Sequence, residues 1–110
     1  MSGGGSSGTS RPNDNGGAGN ENCDIVERTN LNSPNPAVVA SLNVGDILFI
    51  SLNLGPPKRV EAQDSSGQVA GTITSAALAR LIRCLESGVA FEAEVLVISG
   101  GKVEVELRPA

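Results

Sequence analysis

The hydrophobic positions of this chain begin in earnest at Cys23 and from there recur with two different periods. Before that point, after Met1, nothing is more apolar than Ala18. Residues 1–20 therefore lack the apolar area needed to offset backbone ordering entropy, and a disordered Gly/Ser/Asn-rich tail is expected there, ahead of one small domain at 21–110. Residues 43–54, Asn-Val-Gly-Asp-Ile-Leu-Phe-Ile-Ser-Leu-Asn-Leu, form the strongest strand pattern: Gly45-Asp46 marks the turn, and Ile47 to Ile50 is apolar on both faces, as in a strand that is covered on both sides or curls into a barrel. Val60 and Ala62 alternate with Arg59, Glu61 and Gln63. Asp64-Ser65-Ser66-Gly67 is a turn signal, and the segment from Gln68 to Ile73 returns as the other arm of a hairpin. Gly71 inside that arm predicts a bulge or a close backbone approach. A further strand is expected near 23–28, and 36–42 reads as one helical turn or a buried linker after Pro34 and Pro36.

The period then changes. Leu78, Leu81, Ile82 and Leu85 fall at i, i+3, i+4 and i+7, one apolar stripe on a helix whose other side carries Arg80, Arg83 and Glu86. Thr74 or Ser75 can cap its start, and Gly88 ends it where a left-handed residue is needed. Residues 89–110 alternate again around Ser99-Gly100-Gly101. A three-residue loop there pairs Val97 with Val103, Val95 with Val105 and Ala93 with Leu107, giving one continuous apolar face. The same register sets Glu94 opposite Glu106, an unfavourable pair unless solvated. It also turns Leu96 and Ile98 away from the core, beside Glu94, Glu104 and Glu106. The expected order is β-β-β-β-α-β-β: an α+β domain with a small, strongly bent antiparallel sheet or barrel and one helix packed on it.

Those elements resemble the HIRAN domain family over about residues 44–108. The resemblance lies in Gly45-Asp46-Ile47, in Val60 to Gly67, in Val69-Ala70-Gly71-Thr72-Ile73 leading into a helix, in Ala77 to Gly88, and in the alternating hairpin that follows. It implies an OB-like or HIRAN-like barrel and, as an alternative function, a nucleic-acid-binding module for DNA ends or single strands. The family's Asn-Pro-x-Asp segment is replaced here by residues 53–59, Asn-Leu-Gly-Pro-Pro-Lys-Arg, and its DNA-engaging aromatics have no counterpart. The resemblance therefore puts DNA-end binding on no named residue.

Charge and composition narrow the function. The chain carries a net charge of −4, and because Arg11 and Asp14 cancel, the excess of acid belongs to the domain. Nucleic-acid affinity rests on a Lys/Arg footprint. Seven basic residues remain after Arg11, among which Lys58, Arg59, Arg80 and Arg83 are the candidate patch; with no Trp or Tyr and two Phe, stacking platforms are scarce. Weak or no nucleic-acid binding is expected, and another protein is the expected partner. With no His and no zinc-site Cys spacing, the sequence offers no catalytic, metal or cofactor residues and reads as a non-enzyme. Glu92, Glu94, Glu104 and Glu106 form an acidic stripe on the hairpin, either a plain solvated face or a site for a basic partner or a cation. The candidate partner surface is Glu94, Leu96, Ile98, Glu104 and Glu106.

No apolar run approaches the roughly 20 residues of a membrane span, and no basic-then-apolar leader opens the chain. The cytoplasm is the expected location, with Cys23 and Cys84 as reduced thiols and Cys84 buried at the edge of the helix stripe. Were Cys23 to come within disulfide distance of Cys84, an oxidising environment and a stapled N-terminal strand would be the better reading.

Overall fold

A computed structural model describes residues 22–110; the tail expected at 1–20 lies outside the described residues. The elements are β1 (Glu27–Asn30), α1 (Pro36–Val39), β2 (Ile47–Asn53), β3 (Arg59–Gln63), β4 (Val69–Ile73), α2 (Leu78–Glu86), β5 (Phe91–Ser99) and β6 (Lys102–Pro109). The order is the expected one with a single helical turn added between the first two strands. Asn35 caps that turn by accepting the Ala37 N–H at 3.1 Å, Pro36 presets its first residue, and Val38 and Val39 are buried beneath it. The first strand starts later than its apolar residues suggested. Ile25 enters the core ahead of β1, while β1 itself is defined by pairing Glu27–Asn30 against Leu107–Glu104 of β6.

All strand pairs are antiparallel, in the order β1-β6-β5-β2-β3-β4. The sheet curls until the chain following β1 reaches β4. Asn32 and Thr72 exchange backbone hydrogen bonds of 2.8 and 2.9 Å, and the Asn35 N–H donates to the Ala70 carbonyl at 2.8 Å. Side chains lace the same seam: the Asn32 amide donates to Thr74 Oγ1, and Thr29 Oγ1 donates to the Thr74 carbonyl at 3.2 Å. Gly71 lies under this closure. It pairs with Ala62, while Gln63 pairs with Val69, so Ala70 is the extra residue of a bulge. A Cβ on Gly71 would stand 2.9 Å from Leu31 Cβ and 3.0 Å from the Asn32 carbonyl oxygen. The bulge and the close approach are both present.

Leu48 of β2, Val60 and Ala62 of β3, Ala70 and Ile73 of β4, and Val103, Val105 and Leu107 of β6 fill the interior. α2 covers it. Leu81 and Cys84 are buried, with Leu78, Ile82 and Leu85 packed against the core. Ser75 shapes the turn that leads in, its Oγ accepting the Ala77 N–H at 3.1 Å, but no side chain caps the helix itself. At the other end Gly88 takes φ +96°, and the Val89 N–H closes back on the Cys84 carbonyl at 3.0 Å. Arg83 and Glu86 are exposed as expected. Arg80 is not: it is half-buried, and its Nε is enclosed without a hydrogen-bond partner among the described residues.

Two expectations need correction. Cys23 and Cys84 are joined in a disulfide with Cα atoms 5.8 Å apart, so the reduced-thiol reading fails; burial of Cys84 holds, but as a half-cystine tying the segment before β1 to α2. The C-terminal hairpin also solves its register differently. The turn is the two-residue Gly100-Gly101, with φ +56° and +86°, and Ser99 pairs with Lys102. Val95–Val105 and Ala93–Leu107 pair as expected, yet Val103 faces Ile98 and Val97 faces Glu104. A bulge at Leu96 absorbs the extra residue. Tight glycine turns suit the right-handed twist of a hairpin, and a bulge adds the bend that a curled sheet needs. Burial of Val103 and Val105 is thus reached without the longer loop.

Candidate interaction surface

The outward phase of the sheet is set by the same alternation that fills its interior. On β2, Leu48 is buried and Ile50 and Leu52 pack inward, which sends Ile47, Phe49 and Ser51 to the outside. Phe49 is 55% exposed, with Gln63 of β3 on one side and Glu92 of β5 on the other. Ile47 lies opposite Glu94, and Ser51 opposite Glu61. Farther along, Glu94 meets Glu106, which also meets Arg28 of β1, and Glu104 sits between Val97 and Asn30.

Arg108 resolves the expected repulsion between Glu94 and Glu106. Its Nη1 lies 2.8 Å from Glu94 Oε1 and 3.2 Å from Glu106 Oε1, and its Nε lies 2.9 Å from Glu92 Oε2. Hydrogen bonds to Glu94 first, then to Glu92 and less to Glu106, raise the guanidinium pKa above its ordinary value, so this residue stays a cation at any pH the fold survives. One cation among three carboxylates leaves the cluster negative. Glu104 makes no ion pair among the described residues.

Of the residues expected to form a partner surface, Glu94, Glu104 and Glu106 share this outward face. Ile98 turns to pack against the core, and Leu96 is half-buried at the bulge. The bulge presents Val97 instead, 47% exposed. Sequence reasoning missed Phe49 and Val97 for different reasons. Phe49 was legible as the lone aromatic in the phase opposite Leu48, Ile50 and Leu52. Val97 was not, because a bulge inverts the phase of every residue beyond it.

Two members of the candidate basic patch are held against acids. Lys58 Nζ lies 2.5 Å from Glu86 Oε2, and Arg59 Nε lies 3.9 Å from Glu61 Oε2. Arg80 and Arg83 line a shallow hollow with Glu27, Ala76, Ala77 and Ala79. A second hollow of about 290 Å³ runs from Ser41 and Leu42 past Asp46 to Asp64 and Ser65. Its carboxylates are engaged in turns. Asp46 Oδ2 accepts the Asn43 N–H at 2.8 Å, and Asp64 Oδ1 accepts the Ser66 hydroxyl and the N–H groups of Ser66 and Gln68. The Ser66 hydroxyl first, then the Gln68 N–H, hold the Asp64 carboxyl below its usual pKa. No three His, Cys, Asp or Glu side chains among the described residues are grouped to hold a metal ion, and no described helix is long and apolar enough to cross a membrane. No known protein family, curated protein or solved structure matches the chain.

Proposed function

We propose that this protein is a non-enzymatic interaction module, a HIRAN-like barrel that binds another protein through the outward face of β5 and β6. One observation carries the reading: apolar Val97 stands exposed beside the unpaired carboxylate of Glu104, on a face whose remaining acids outnumber the single arginine among them. Apolar area rimmed by one sign of charge is what a partner with the opposite rim covers. The curled six-stranded sheet under a helix agrees with the barrel that the resemblance implies. The nucleic-acid alternative draws less support, because Lys58 and Arg59 lie against Glu86 and Glu61, and Arg80 and Arg83 share their hollow with Glu27. The disulfide supports an oxidising compartment rather than the cytoplasm as the place of action.

The test is Val97→Lys. Because the side chain is exposed, the variant is expected to keep the native circular-dichroism spectrum and melting temperature while losing its protein partner. A variant that folds and binds the partner as before removes this face from the reading. Titration with single-stranded DNA at two salt concentrations separates the alternative: salt-dependent binding lost on Arg80→Ala would favour nucleic acid.

A further inference from the structure

The acidic face continues past the hairpin onto β2, where its largest exposed apolar group lies. Phe49 sits in the sheet with Glu92 and Gln63 as its lateral neighbours, at a Cβ separation of about 4.5–5.5 Å for directly opposed residues. Glu94 and Glu61 occupy diagonal positions about 7–8 Å away. Three carboxylates, Glu61, Glu92 and Glu94, thus stand beside the ring or diagonal to it. The guanidiniums that engage them, Arg59 and Arg108, lie opposite Asn53 and one strand beyond β5 on β6, where Glu106 adds a fourth carboxylate. Arg28 and Lys102 lie farther out, opposite Glu106 on β1 and Ser99 at the hairpin tip. The exposed face of an aromatic ring is itself electron-rich and attracts a cation placed over it. Negative charge on both flanks strengthens that preference and disfavours phosphate.

Resting on the interaction reading, we infer that the Phe49 strip binds an arginine side chain carried on an extended, cationic segment of the partner. The guanidinium lies over the Phe49 ring and takes Glu92 and Glu61 as its carboxylate partners, while the apolar stem covers Ile47 and Phe49. Arg108 is the intramolecular precedent, an arginine already held by Glu92, Glu94 and Glu106 on the adjoining strands. A second copy of this chain does not fit the same place, because two such faces would meet acid against acid.

The test uses the full chain, labelled with nitrogen-15, and a blocked pentapeptide of alternating arginine and valine at physiological ionic strength. Counterparts carry glutamate or serine in place of arginine. The arginine peptide is expected to shift amides at 47–49, 61–63 and 92–94, with no response to the glutamate peptide. Phe49→Leu, which keeps an apolar side chain without the ring, is expected to weaken binding about two- to five-fold. Glu92→Gln should weaken it as well. Equal binding by Phe49→Leu, or shifts spread equally over Asp46 and Asp64, overturns the inference. If the serine peptide binds this face as tightly as the arginine peptide, the cationic partner is wrong and the interaction reading stands. If no peptide binds here, the inference falls, and the interaction reading rests on Val97→Lys alone.

Discussion

Gly71→Ala places one methyl group under the seam of the barrel. Gly71 is not at positive φ, so the backbone there accepts alanine without torsional strain. The obstacle is space. The new Cβ would stand 2.9 Å from Leu31 Cβ and 3.0 Å from the Asn32 carbonyl oxygen. Neither neighbour is the free end of a flexible side chain, so relief requires the 31–32 backbone to move away from β4. That motion stretches the two Asn32–Thr72 hydrogen bonds of 2.8 and 2.9 Å. Overpacking of this kind costs about 1–3 kcal/mol. Restricting the unfolded chain by replacing glycine with alanine offsets about 0.4–1 kcal/mol. The net expectation is a loss of about 1–2 kcal/mol, measured by urea denaturation. Hydrogen exchange gives the location: the Asn32 and Thr72 amides should lose protection relative to the Val95 amide, which donates to the Asp46 carbonyl at 2.8 Å outside the seam. Unchanged stability with both seam amides still protected would refute the close approach on which the closure rests.

Other consequences are as direct. Reduction of Cys23–Cys84 releases a loop closed across 61 positions and is expected to cost about 4 kcal/mol, read as a fall in the urea midpoint with reductant and none in a Cys23→Ser/Cys84→Ser double variant. Leu81→Ala, at a fully buried position of α2, should cost about 2–5 kcal/mol in the same assay; a loss below about 1 kcal/mol would mean that the helix does not cover the core. Asp64 has a folded pKa below its unfolded one, so its contribution is complete above the ordinary carboxylate range and is lost as pH falls through the folded value. The melting temperature of the native protein should therefore exceed that of Asp64→Asn at neutral pH, with the gap closing below about pH 4, and a gap independent of pH would contradict the assignment.

How far the fold was legible follows from which signals are local. The α2 stripe, the Gly88 stop, the Asp64–Gly67 turn and the alternation of Val60 and Ala62 are written within a few residues of one another, and each appears as the sequence implies. The Gly71 signal was legible as a need for space, though not as to which segment fills it. What escaped depends on partners distant in the chain. β1 shows little alternation because it is defined by β6, whose paired residues stand 74 to 80 positions away. The cysteines stand 61 positions apart, and nothing near either one announces the other. The Leu96 bulge was hidden because a longer loop and a tight turn with a bulge bury the same Val103 and Val105. Within the candidate surface, the outward acids were legible from period-two alternation, whereas Val97 in place of Ile98 was not.

The outward face of the sheet is the proposed place where this protein meets another. Photo-reactive side chains substituted singly at Val97 and Phe49, with a third at Ser66 in the β3–β4 turn as control, test this most directly in the cells that make the protein. The expected result is the same discrete protein adduct from positions 97 and 49 and none from position 66, with the adduct at 97 lost when Glu104 is also changed to lysine. Adducts of equal yield from all three positions, or a nucleic-acid adduct in place of a protein, would contradict it.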